Sequence, residues 1–220
     1  AKRLSDDWAA GSRPDFHVVA FDRVVEELKR DAPAELWQVL LKRRMLHAAE
    51  VVSDGIELRL QQRAQQRGDD RHAGHRAVGV DAIVTGESVG QVSSQTLANL
   101  RSIDAAAVRP VLRPLAGFDK IDIMRLAERI GTAGTSAEVE EDCAITPGRT
   151  ATASRPKHVA EAEAMMADAA LEAALATASF VALRAVDAAE LAAELEEGGV
   201  AVDQVPAGAV LLDGRPHAMW

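Results

Sequence analysis

Residues 85–95 read T-G-E-S-V-G-Q-V-S-S-Q and follow directly on the apolar run D-A-I-V. A buried strand running into a glycine-rich polar loop brings backbone N–H groups, hydroxyls and an amide side chain to one sheet edge, where they can hold a nucleotide. Gly86 and Gly90 permit positive φ and close approach of a ligand to the backbone. Most strand–glycine–helix junctions only turn the chain, so this loop alone does not decide between binding and turning. A second candidate group, Lys42-Arg43-Arg44, interrupts a helical pattern, and a solvated charged face is the common explanation for such a run. Cys143 is the single cysteine, which excludes an intrachain disulfide and a thiolate zinc cage. His72 and His75 suggest a metal pair, but no further His, Cys or carboxylate pattern completes it, so no metal site is expected.

The elements that must position these groups follow from periodicity. Residues 16–21, F-H-V-V-A-F, fit a short buried strand, and 22–29 have helical spacing. Pro33 suits the first turn of a new helix, in which Leu36, Val39, Leu40, Met45, Leu46 and Ala49 recur at three- and four-residue steps up to Val52. From about 54 to 79 the chain is rich in Arg, Gln, Gly and His and reads as a solvated insertion. A strand at 80–85, a helix near 93–103, a proline-bracketed edge strand at 108–115 and a helix at 119–130 come next. Asp119 is the expected N-cap of that last helix and Gly131 its stop. An Ala-rich helical region at 157–185, a helix near 187–197 and a strand at 209–213 complete the chain. Strands alternating with helices imply an α/β fold with a parallel sheet.

The chain has 220 residues, 48% hydrophobic and 27% charged, which is the composition of a globular protein. With 3% aromatics and no Tyr, its core must rest on Ala, Val, Leu and Ile. A formal charge of −9 argues against a generally basic nucleic-acid surface, although 42–44 and 149–158 are locally positive. No apolar stretch approaches the roughly 20 residues of a membrane span, and no secretory leader is seen, so a cytoplasmic location without membrane contact is expected. The chain starts at Ala1 inside a helical pattern and ends at Trp220 just after a strand-like run, so both ends are expected to be cut from a longer protein.

Several segments in order resemble one family. The loop and its continuation T-L-A-N-L, the later R-P-L-A-G-F-D-K, R-I-G-T at 129–132 and E-D-C at 141–143 are similar to the tRNA 4-thiouridine synthetases of the ThiI type. The resemblance implies an adenine-nucleotide α-hydrolase-like (PP-loop) domain that uses ATP, with Mg2+, to adenylate uridine in tRNA. A cysteine desulfurase then supplies persulfide sulfur, and many bacterial members also deliver sulfur for the thiamine thiazole. Position by position, the resemblance implies that Lys42, with Arg43 beside it, Gly86 and Gln95 line the ATP site. It makes Lys120 a catalytic residue, whose ammonium would stabilise charge developing on the phosphates; without it, Lys120 is an exposed first-turn helix residue. Cys143 matches the cysteine that closes a disulfide with the persulfide-bearing cysteine after sulfur transfer, and its polar setting, E-E-D-C-A-I-T-P-G-R, favours that role over an inert core thiol. Residues 209–215 resemble the opening strand of a rhodanese domain.

The expected organisation is therefore a partial PP-loop domain over 1–158, a helical linker over 159–205 and the start of a rhodanese-like domain over 206–220. The family's pyrophosphate loop, S-G-G-x-D-S, does not occur in the 220 residues, nor does the THUMP region that grips tRNA. The sheet is expected to lack its N-terminal strands, and the isolated chain is not expected to catalyse adenylation. Two alternatives stay open: a non-catalytic module that binds tRNA or a sulfur carrier, and another PP-loop nucleotide-binding enzyme.

Overall fold

The computed structural model describes residues 1–66, 79–138 and 150–183. Cys143 and its acidic neighbours, His72, His75, the helix expected at 187–197 and the strand expected at 209–213 lie outside them. The elements are α1 (Lys2–Asp7), β1 (Asp15–Val18), α2 (Asp22–Asp31), α3 (Trp37–Gln66), β2 (Ile83–Val84), α4 (Leu97–Asp104), β3 (Val111–Leu112), α5 (Lys120–Arg129), α6 (Ala133–Glu138), α7 (Pro156–Glu163), α8 (Ala169–Ala176) and β4 (Ser179–Ala182).

The 30-residue α3 is the axis of the molecule. Val39, Leu40, Leu46, Ala49 and Ile56 turn one side of it into a core shared with Leu28 of α2, Ile83 of β2, Leu100 and Ile103 of α4, and Val159 and Ala162 of α7. On another side, Ala48 joins Val19, Phe21, Val24 and, from α8, Leu171 and Ala174. Each fully buried Leu or Val contributes about 1.5–3 kcal/mol relative to exposure, and this helix supplies buried apolar residues to both cores.

The helix was expected to end at Val52, but it continues to Gln66. Ile56 is buried and Leu60 packs on the core, so the apolar stripe outlasts the point where polar residues begin to dominate. On a further stripe, Glu50, Asp54 and Glu57 all receive the Arg109 guanidinium. Glu50 also accepts the Val108 and Arg109 N–H groups at 2.7 and 2.8 Å, and Glu57 accepts the Val80 N–H at 2.9 Å. One cation thus ties the approaches to both β2 and β3 to α3.

β2 and β3 form a small parallel sheet, Ile83 opposite Val111 and Val84 opposite Leu112. β1 pairs instead with β4, antiparallel, Asp15 opposite Ala182. The described strands therefore make two two-stranded sheets, not one parallel sheet holding both 16–21 and 80–85. The difference comes from β4, which the Ala-rich pattern disguised as helix: Thr177 caps α8, and Ser179, Phe180 and Val181 favour extended backbone that returns beside β1. Val159 and Ala162 of α7 and Leu171 and Ala174 of α8, within the segment read as a linker, share the two cores with α3.

Candidate functional site

Parallel strands end at the same sheet edge, so the chain leaving β2 and the chain leaving β3 emerge side by side, where ligands of open α/β sheets bind. Hydrogen bonds fix the two together. The Thr85 N–H donates to the Leu112 carbonyl at 3.0 Å, and the Val89 N–H to the Ala116 carbonyl at 3.1 Å. Buried Ser88 donates its hydroxyl to the Phe118 carbonyl at 2.6 Å. Two residues beyond that carbonyl, Lys120 opens α5 under an Asp119 cap that accepts the Asp122 N–H at 2.8 Å. Lys120 is exposed and makes no ion pair among the described residues. The glycine loop and the segment carrying Lys120 are thus one unit.

Of the two loop glycines, Gly90 takes the positive φ, +82°, and its N–H closes on the Gln95 carbonyl at 2.9 Å. Gly86 does not, but a Cβ built there would meet nothing within 4 Å, so the backbone at Gly86 faces open space. At the end of the loop, Ser94 is buried and Gln95 half-buried, and Ser94 Oγ and Gln95 Oε1 have no hydrogen-bond partner among the described residues.

The cations of α3 are not a solvated face, because each turns to a different neighbour. Lys42 Nζ donates to Glu87 Oε1 at 2.6 Å, beside Gly86. Arg43 donates to both Glu163 oxygens, from Nη2 at 2.5 Å, and to the Ser102 carbonyl, fastening α7 and α4 to α3. Arg44, 4% exposed, pairs with Asp168 just before α8. Lys42 is therefore at the loop, whereas Arg43, expected beside it in the nucleotide site, is engaged between helices.

Glu87 is the centre of the loop's charge network, which the sequence reading missed. Its second oxygen accepts from Arg113 Nε at 2.8 Å and from the Thr85 hydroxyl at 3.2 Å. Arg113 in turn grips both oxygens of Asp104, at 3.0 and 2.5 Å. Burial pushes the Glu87 carboxyl up, but its bonds to Lys42 and Arg113 outweigh this and hold it below the usual carboxylate range. Burial alone would likewise loosen the Arg113 proton, and Asp104 and Glu87 reverse that. The signal available in sequence was only a Glu inside the glycine loop and an Arg within the expected edge strand 108–115.

Asn99, fully buried in α4, organises the chain downstream of Cys143. It donates Nδ2–H to the Ala151 carbonyl at 2.7 Å and accepts the Ser154 N–H at 2.8 Å, while the Thr96 hydroxyl donates to the Thr152 carbonyl at 2.6 Å. Residues 151–154 are thereby laced to the helix that follows the glycine loop.

The family model of the thiamine biosynthesis protein ThiI matches residues 1–60 and 71–167. The chain belongs to the ThiI family. It is 34% identical over 209 residues to a tRNA sulfurtransferase of Pseudomonas syringae pv. syringae, covering 94% of this chain and 38% of that protein. It is 36% identical over 153 residues to a probable tRNA sulfurtransferase of Thermus thermophilus, covering 69% of this chain and 32% of the relative. Among solved structures, a 4-thiouridine synthetase–RNA complex with bound ATP superposes with a TM-score of 0.65 at 29% identity, over 82% of this chain and 42% of that one. The ThiI-family chain described here is an α/β PP-loop fold by that likeness, and it spans about two-fifths of the length of the Pseudomonas relative. No helix among its described residues is long and apolar enough to cross a membrane.

Proposed function

We propose that the full-length protein is an ATP-dependent tRNA sulfurtransferase that forms 4-thiouridine, and that the loop after β2 holds the ATP. The observation that carries this reading is the joining of the glycine loop to the Lys120 segment at the carboxyl edge of β2 and β3, in a chain similar to a synthetase solved with RNA and ATP. In this reading Lys42, the Gly86 backbone and the Gln95 amide contact the nucleotide, and Lys120 faces the phosphates. Arg43, expected to join them, supports the site from behind through its pairing with Glu163.

The uridine O4 attacks the α-phosphorus of ATP and pyrophosphate leaves, its developing charge met by the Lys120 ammonium. The terminal sulfur of a cysteine persulfide, supplied by a cysteine desulfurase, then attacks C4 and AMP departs. The Cys143 thiolate attacks the inner sulfur of the resulting adduct, so that a disulfide forms and 4-thiouridine is released. Mg2+ is expected to accompany ATP; no cluster of His, Cys, Asp or Glu among the described residues forms a metal cage, and no step is assigned to the ion. A cytoplasmic location and sulfur supply for the thiamine thiazole belong to the same proposal.

The test is 4-thiouridine content of tRNA from cells lacking the full gene, complemented with wild type, Lys120→Ala or Cys143→Ser. Wild type alone should restore the nucleoside, and purified Cys143→Ser given a persulfide donor should still release AMP from ATP and tRNA. Unchanged 4-thiouridine after deletion of the gene would sink the proposal.

A further inference from the structure

The glycine loop carries one half-buried carboxylate that the functional reading above leaves unused. Glu87 spends one oxygen on Lys42 and the other on Arg113 and Thr85. Asp104 holds Arg113 from its far side. The four charges come from four places in the chain, namely the second turn of α3, the β2 loop, the end of α4 and the residue after β3. Glu87 is accordingly the only one of them through which the position of Lys42 is fixed relative to Gly86.

The geometry matters because a lysine is a compact point charge on a flexible four-carbon stem with many accessible rotamers. Left alone, Lys42 would spread over many rotamers and a ligand would have to select one. Its side chain is 24% exposed and Glu87's 12%, so the pair lies at a lip, screened less than an open surface pair, with one side reachable by a ligand. Thr85 and Arg113 lock the carboxylate itself. We propose that Glu87 is a positioning residue for nucleotide binding: it holds the Lys42 ammonium beside the Gly86 backbone, ready for the anionic part of ATP. This rests on the ATP-dependent reading of the loop. Binding chemistry then falls to Lys42, and the geometry of Lys42 to Glu87, Arg113 and Asp104 in series.

A competing arrangement is physically distinct. Lys42 and Arg113 against Glu87 and Asp104 sum to zero charge, so a carboxylate that merely blocked Lys42 would be displaced by phosphate, and its removal would strengthen binding. The placement of Thr85 and Arg113 on the far oxygen favours a fixed carboxylate over a displaceable one.

The experiment uses full-length protein and measures ATP affinity by equilibrium binding together with KM for ATP and kcat for AMP release. Glu87→Gln should raise the ATP Kd and KM about tenfold with a smaller change in kcat, and Glu87→Asp, which keeps the charge, should recover part of the loss. Glu87→Gln in a Lys42→Met background should cost nothing further, because the residue acts through Lys42. Additive losses would overturn the proposal by showing a merely structural role, as would unchanged or tighter ATP binding by a Glu87→Gln protein whose melting temperature matches wild type. If wild type itself binds no ATP, the functional reading fails first, and with it this inference; wild type that binds ATP while Glu87→Gln is indistinguishable from it fails this inference alone.

Discussion

His17 shows how a single side chain can make stability depend on pH. It is 5% exposed in β1, stacks on Phe180 of β4 with ring centroids 5.4 Å apart, and its Nε2 has no hydrogen-bond partner among the described residues. The Arg59 guanidinium lies over the same Phe180 ring at 4.6 Å. Burial lowers the His17 pKa, Arg59 lowers it further, and Asp15 opposes both. The folded imidazole therefore stays neutral where an unfolded one, with a pKa of about 6.5, begins to protonate. The contribution is complete above about pH 6.5 and is lost as pH falls through the depressed folded value. Urea midpoints measured from pH 8 to 5 should fall with acidification, and His17→Phe should flatten that fall by at most about 1.4 kcal/mol per pH unit. An identical slope in both proteins would remove His17 as the cause.

At the scale of elements, the connections are electrostatic clamps over apolar contacts. Arg109 is the clearest case: three carboxylates of α3 and the Val80 carbonyl converge on one guanidinium. The carboxylates bind its proton more firmly than usual despite the burial that opposes them. Arg109→Ala would leave Glu50, 11% exposed, without its cation, and breaking a buried pair costs about 3–5 kcal/mol. The Asp54 arm of the clamp is open to solvent and adds little. We expect Arg109→Ala to lower the melting temperature by more than any other single Arg→Ala on the exposed surface, and hydrogen exchange to rise first at Ile83 and Val111. Exchange rising uniformly instead would mean that Arg109 does not hold the small sheet locally.

These clamps also mark the limit of what the residues announce in sequence. The glycine loop, the Asp119 cap and the Gly131 stop were legible because each depends on local backbone chemistry, and Gly131 does adopt φ +77°. The partners of Lys42, Arg43 and Arg44 were not, since Glu87, Glu163 and Asp168 lie 45 to 124 residues away. β4 was hidden for a similar reason: four residues are too few to break an Ala-rich helical pattern, and only the Asp15–Val18 edge makes them a strand.

For the whole molecule, α3 is the element on which two cores and four sets of ion pairs depend. Leu40 is fully buried in it, and Leu40→Ala should cost about 2–5 kcal/mol through lost transfer energy and the cavity left behind. Chemical denaturation should show a lower midpoint. If ATP binds in the loop, added ATP should restore part of the loss, because a ligand that binds only the folded state raises its stability.

The length of α3 between its tethers has a consequence for how this family can vary. Lys42–Arg44 fix the helix at one end of a stretch, and Glu50, Asp54, Glu57 and Arg59 fix it at the other. One inserted residue between the two groups would turn them about 100° against each other, so no single insertion there could satisfy both. Arg59 carries the last charged grip on the helix among the described side chains. The family model passes unbroken through residue 60 and resumes at 71. The break in the match thus falls just past the stretch in which the described grips would oppose a change of length.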